Sequence, residues 1–134
     1  MSVLVAPDSF KGTLRATEVA AAIGRGLEAA GCEPPDLCPV ADGGEGTLEV
    51  LLTALGGETV GATAHDPWGR EIQTAFALIE DGGTAIVETA SASGLHLGGK
   101  GSDPFTPSTY GTGELISAAV EAGAQVVLLG VGGS

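Results

Sequence analysis

Asp36-Leu37-Cys38-Pro39-Val40-Ala41-Asp42-Gly43-Gly44-Glu45-Gly46-Thr47, residues 36–47, is the stretch that decides how this chain is built. Asp36 to Val40 reads as a buried strand, and Thr47 to Leu55 as a helix stopped by Gly56. Between them lies a loop of three glycines and two carboxylates. Glycine adopts positive φ and lets a backbone or ligand come close, so such a loop at a strand's carboxyl end is a candidate binding site. A tight turn without a ligand would also use glycine, but it has no need of both Asp42 and Glu45.

Upstream the same pattern occurs once before. Val3 to Ala6 is a short apolar run, predicted to be a strand buried on both faces, and Pro7 ends it. The loop Pro7-Asp8-Ser9-Phe10-Lys11-Gly12-Thr13 follows, then a helix from about Thr17 to Ala30 with Val19, Ile23, Leu27 and Ala30 on one face and Gly31 as its stop. Strand, loop and helix twice over imply right-handed crossovers and a parallel, Rossmann-like sheet whose loops share one edge. The Lys11 and Asp42 loops are therefore expected to face each other. The second helix should turn Leu48, Leu51, Leu52 and Leu55 inward.

Downstream the pattern changes. Glu58 to Ala64, Arg70 to Ile79 and Thr84 to Ala90 are strand-like runs joined by the turn sequences Asp66-Pro67-Trp68-Gly69 and Glu80-Asp81-Gly82-Gly83, which predict an antiparallel meander. A boundary near Gly61 follows, with residues 1–60 beginning a Rossmann-like α/β lobe and residues 61–134 beginning a second, mixed α/β lobe. Ser91 to Thr112 reads as a long irregular loop, followed by a helix from Gly113 to Ala122 and a buried strand from Gln125 to Val131. That last strand wants neighbours on both sides. The chain is thus expected to be a piece of a longer protein, the alternative being a minimal domain that completes its sheet by oligomerising.

With 134 residues and 43% hydrophobic content the chain can bury a real core. Its apolar runs are too short to span a bilayer, which predicts a cytoplasmic protein. Seventeen acidic residues against five basic ones give a net charge of −12, which opposes nucleic acid and anionic membrane partners. A small anionic ligand would have to be held by local bases, backbone amides or a metal ion, and this singles out Lys11. Cys32 and Cys38 lack the partners of a zinc site and read as reduced thiols. His65 and His96 have no ligand-like spacing and read as loop or surface residues.

Gly94 to Ser102 nearly repeats a nucleotide P-loop, but Gly101 stands where a hydroxyl residue would meet magnesium, and no helix follows. It is read as coincidence. No Gly-x-Gly-x-x-Gly follows the first strand, and no Gly-x-Ser-x-Gly elbow is present. What remains is a constellation of Asp8, Ser9 and Lys11, then Asp42 and Glu45, then Thr109, Thr112 and Glu114. A lysine, spare amides and carboxylates suit phosphoryl transfer, in which a base and carboxylate-bound magnesium meet the charge of the moving group. The competing reading has Asp8 capping a turn, Lys11 solvated and Glu45 placed near a helix start.

The blocks Ala6-Pro7-Asp8-Ser9-Phe10-Lys11-Gly12, Val40 to Thr47, Ala92-Ser93-Gly94-Leu95, Ser108 to Glu114 and Gly130-Val131-Gly132-Gly133-Ser134, in this order, resemble the bacterial glycerate kinase family. The resemblance runs through essentially the whole sequence. It implies an ATP-dependent kinase of D-glycerate, giving 2-phosphoglycerate with Mg2+, in a cleft between two α/β lobes. By similarity Asp8, Ser9, Phe10 and Lys11, then Asp42, Gly43, Gly44 and Glu45, line that cleft, and Ser93, Thr109 and Thr112 approach it. Within that set Lys11 is assigned to phosphate or carboxylate charge, Asp42 to the substrate hydroxyl or Mg2+, and the Gly43 and Gly44 amides to an anionic oxygen. Family members are well over twice this length, so this chain by itself is expected to be inactive. A different class of function, a non-catalytic acidic α/β module binding a small anionic metabolite, stands as the alternative.

Overall fold

The computed structural model describes residues 2–98 and 105–134. Its backbone divides into two compact units, Met1–Asp42 and Gly43–Ser134, a division that falls ahead of the composition change near Gly61.

In the first unit, β1 (Leu4–Val5) and β2 (Asp36–Leu37) form a parallel pair with Leu4 opposite Asp36 and Val5 opposite Leu37. Asp36, Cys38 and Val40 donate their N–H groups to the carbonyls of Val3, Val5 and Pro7, so the pairing continues to the mouths of both loops. Helix α1 (Ala16–Ala29) joins the strands and ends at Gly31, whose φ of 83° is the left-handed conformation its stop requires. Two expectations are corrected here. The strand is covered on one side only, with Val5 buried and Leu4 exposed. The buried face of α1 is Ala16, Val19, Ala20 and Gly24, while Ile23 and Ala30 are exposed. Small residues let the helix lie close to its sheet: a methyl group on Gly24 would already stand 3.2 Å from Leu37 Cδ2.

The second unit is built on a four-stranded sheet in the order β3 (Glu58–His65), β4 (Glu71–Ile79), β5 (Thr84–Glu88), β6 (Val126–Gly130). β3, β4 and β5 are the antiparallel meander the turn sequences predict, and β6 adds in parallel to β5. Asp66 makes the first turn by accepting the N–H groups of Trp68 and Arg70, each at 2.9 Å, and the Arg70 Nε at 2.5 Å. Side chains alternate across a strand, so one face presents Phe76, Leu78, Ala85 and Val87 and the other Ala77, Ile79 and Ile86. Helix α4 (Tyr110–Glu121) covers the first with Leu115 and Ala119, and helix α2 (Thr47–Leu55) covers the second with Leu48, Leu51 and Leu52. Every residue of β5 is buried in consequence.

Four further expectations change in this unit. Leu55, the last residue of α2, is 60% exposed rather than turned inward. The end of β5 passes into a short helix, α3 (Ala90–Ser93), and a 3-10 turn at Leu95–Leu97, where an irregular loop was expected; α4 starts at Tyr110 rather than Gly113. Residues 99–102 of the P-loop-like stretch lie outside the described residues. β6 is not buried: Val126, Leu128 and Leu129 are each more than 40% exposed, because β6 is the edge strand of the sheet among the described residues.

Candidate functional site

Within the Met1–Asp42 unit the loop after β1 folds back on itself. Phe10 and Leu14 exchange N–H and carbonyl groups, and Thr13 donates both its N–H and its hydroxyl to the Phe10 carbonyl. Gly12, at φ 77°, makes this turn, which leaves Lys11 at its tip with an 87% exposed side chain. Asp8 Oδ1 accepts the N–H of the adjacent Ser9 at 2.6 Å. Arg15 N–H is accepted by Glu18, and the Arg15 side chain and backbone together hold the Glu18 carboxyl below its ordinary value. At the end of the β2 ladder stands Asp42, 62% exposed at its side chain, with Oδ2 3.9 Å from Lys11 Nζ. The two loops therefore meet through their charged side chains.

Within the Gly43–Ser134 unit the opening loop packs against a second glycine segment. A methyl group on Gly130 would stand 2.8 Å from the Gly43 carbonyl, and one on Gly132 2.8 Å from the Gly44 N. Such approaches leave no room for a side chain, so Gly130 and Gly132 pack backbone against backbone on residues 43–44. Thr47 closes the loop by donating its N–H and hydroxyl to the Gly44 carbonyl, and Glu45 stays exposed. Ser93 Oγ and Thr112 Oγ1 are 2.7 Å apart and buried, which joins α3 to the first turn of α4. Thr109 is exposed and accepts the N–H groups of Thr112 and Gly113 on its carbonyl.

Spacing marks His65 as a loop or surface residue, whereas the structure places it at the end of β3 with a partner. Its Nδ1 lies 3.0 Å from both Glu114 carboxylate oxygens, its N–H donates to Glu114 Oε2 at 2.8 Å, and its ring meets Tyr110 edge-on. The ring contact, outweighing burial and joined by the backbone N–H and the local charge, holds the Glu114 carboxyl below its ordinary value. No local signal could have revealed this pair, since its members are 49 residues apart. Among the described residues no three potential ligands gather for a metal. Mg2+ characteristically takes one or two carboxylates and fills its shell with phosphate oxygens and water, and the exposed Asp42 carboxylate suits that sparse role.

The model of the glycerate kinase family matches residues 3–134. A glycerate kinase of Bacillus subtilis is 44% identical, and a glycerate 2-kinase of Escherichia coli 41% identical, each aligned with 100% of this chain and 36% of its own length. A solved chain from Salmonella typhimurium LT2, described provisionally as glycerate kinase 2, superposes with a TM-score of 0.80 at 39% identity, again over 100% of this chain and 36% of that one. The chain therefore spans about a third of the length of the relatives it matches.

Proposed function

The chain belongs to the glycerate kinase family, and from that premise we propose that the whole protein transfers the γ-phosphoryl group of ATP to D-glycerate, giving 2-phosphoglycerate in the cytoplasm. The observation that carries the reading is the approach of Lys11 Nζ to Asp42 Oδ2, 3.9 Å apart on exposed side chains at the ends of two parallel strands. A lysine so placed meets the negative charge of a phosphate or of the glycerate carboxylate. Asp42 orients the hydroxyl that attacks phosphorus, or holds Mg2+. That ion, when bound, would offset charge on the transferring group. The Gly43 amide, half-buried and left without a side chain, suits an anionic oxygen, while Gly44, buried against Gly132, backs it.

In this reading Asp8, Ser9, Phe10, Glu45, Ser93, Thr109 and Thr112 shape the substrate's surroundings in the cleft between the two lobes of the whole enzyme. The relatives' names support glycerate as substrate, and the Escherichia coli relative's supports the 2-phospho product. The test is an ATP-coupled assay of the full-length protein with D-glycerate, beside Lys11→Ala and Asp42→Ala. Each variant should lose roughly 100-fold or more in kcat/KM. Unchanged rates in both would remove these two residues from the site. Glycerate binding without ADP release by the full-length protein would favour the metabolite-binding alternative.

A further inference from the structure

The loop that opens α2 is held by a side chain 40 residues away. Glu88 ends the buried strand β5 with 6% of its surface exposed. Its Oε1 accepts the N–H of Leu48 at 2.5 Å, its Oε2 accepts the Ser91 hydroxyl at 3.2 Å, and the Gly46 N–H donates to the same carboxylate. Amides in the first turn of a helix lack intrahelical acceptors. Gly46, which caps α2 at φ 95°, has no side chain to supply one. Glu88 supplies it from the sheet, with its negative charge at the positive end of the helix. Glu88 also lies opposite Gly130 in the β5–β6 register, and the next residue, Thr89, donates its N–H to the Gly130 carbonyl at 2.9 Å. One strand end thus anchors both glycine segments that pack on each other.

We propose that Glu88 is a positioning residue of the kinase site: through the Gly46 and Leu48 amides it holds the Gly43–Gly46 loop in the geometry in which the Gly43 amide receives an anionic oxygen of glycerate, without itself touching the substrate. This rests on the reading of that loop as a glycerate-binding element. Depth of burial and occupation of both oxygens separate Glu88 from the role of general base. A carboxylate is also an expensive choice here: burial pushes it up from its ordinary value against the donors from Leu48, Ser91 and Gly46, and the charge of Glu45 pushes it further. Glutamine would fill the same space, but it offers one acceptor oxygen where three donors converge.

The test compares full-length wild-type protein with Glu88→Gln and Ser91→Ala by steady-state kinetics and by amide hydrogen exchange. In Glu88→Gln the glycerate KM should rise about ten-fold, with kcat and the nucleotide KM within about two-fold of wild type, the pattern of lost substrate binding. The Gly46 and Leu48 amides should exchange about ten-fold faster while amides shared between β4 and β5 do not change. Ser91→Ala keeps the carboxylate and removes one donor, so it should shift the glycerate KM in the same direction by about two-fold. Wild-type kinetics in Glu88→Gln, or an equal loss for both substrates with faster exchange throughout the sheet, overturns the proposal. If wild-type protein does not phosphorylate glycerate, the kinase reading fails by itself; the exchange of Gly46 and Leu48 then still decides whether Glu88 fixes the loop, and unchanged exchange overturns that as well.

Discussion

The two compact units treat their carboxylates in opposite ways. In Met1–Asp42 the acid at the end of the strand ladder, Asp42, keeps a 62% exposed side chain and meets Lys11 at 3.9 Å, beyond ordinary hydrogen-bond reach. In Gly43–Ser134 the acid at the end of the central strand, Glu88, is buried and bonded on both oxygens. An exposed ion pair at such a distance contributes under about 1 kcal/mol to folding, so the Lys11 contact does little to hold Asp42 in the scaffold. A buried carboxylate stripped of its donors is costly, so Glu88 is committed to the scaffold. Exposure of the charged group, rather than its position at a strand end, separates the two carboxylates energetically, and the proposed site uses the exposed one.

That contrast is broken most directly in the core of the larger unit. Phe76 is 1% exposed and packs in the cluster with Leu115 and Ala119, so Phe76→Ala should cost about 3–5 kcal/mol by loss of transfer energy and creation of a cavity. Urea denaturation of the full-length protein measures it. Asp42→Ala should leave the urea midpoint unchanged while activity falls roughly 100-fold, which is about 2.7 kcal/mol of transition-state stabilisation. A midpoint that falls as far as it does for Phe76→Ala would make Asp42 a structural residue and dissolve the distinction. Gly132→Ala comes next. Its methyl group would press on the Gly44 backbone at 2.8 Å, and a misfit of this kind costs about 1–3 kcal/mol.

Much of this organisation was legible in the residues themselves. Thr47–Leu55 is a helix with the limits its leucines and Gly56 predict, and the turns at Asp66 and Glu80 do separate antiparallel strands. The meeting of Lys11 with Asp42 followed from topology alone, since parallel strands joined by a helix bring both loops to one edge. What failed depended on neighbours distant in sequence. Apolar runs such as Val126–Gly130 look alike in a central and an edge strand, so hydrophobicity alone does not tell which of the two a run becomes. The buried face of helix α1 keeps Val19 but is shifted from Ile23 and Ala30 toward Ala16, Ala20 and Gly24, because alanine and glycine, weak signals of burial in sequence, are the residues that allow close packing. Glu88 escaped notice for a related reason: a carboxylate at the end of an apolar strand becomes meaningful only once Leu48, Gly46 and Ser91 converge on it.

The smallest expected effect is on the pH dependence of stability, where two glutamates of the same unit should act in opposite senses. Glu114 is held below its ordinary value, chiefly by the His65 ring and then by the His65 backbone N–H, against the opposing influence of burial. A folded pKa below the unfolded one contributes stability above the unfolded value, and that contribution disappears as pH falls through the folded value. His65→Phe should therefore be less stable than wild type near neutrality, with the gap closing as pH is lowered past the ordinary glutamate range. Glu88 is raised, chiefly by burial, and the sign reverses. Between its unfolded and folded values the native state binds the extra proton, so this contribution is present at low pH and is lost as pH rises through the folded value. The stability of Glu88→Gln relative to wild type should accordingly improve as pH rises over that range. Urea midpoints of the three proteins across the acid range measure both slopes, and parallel slopes would show that exposure does not divide these carboxylates as the geometry indicates.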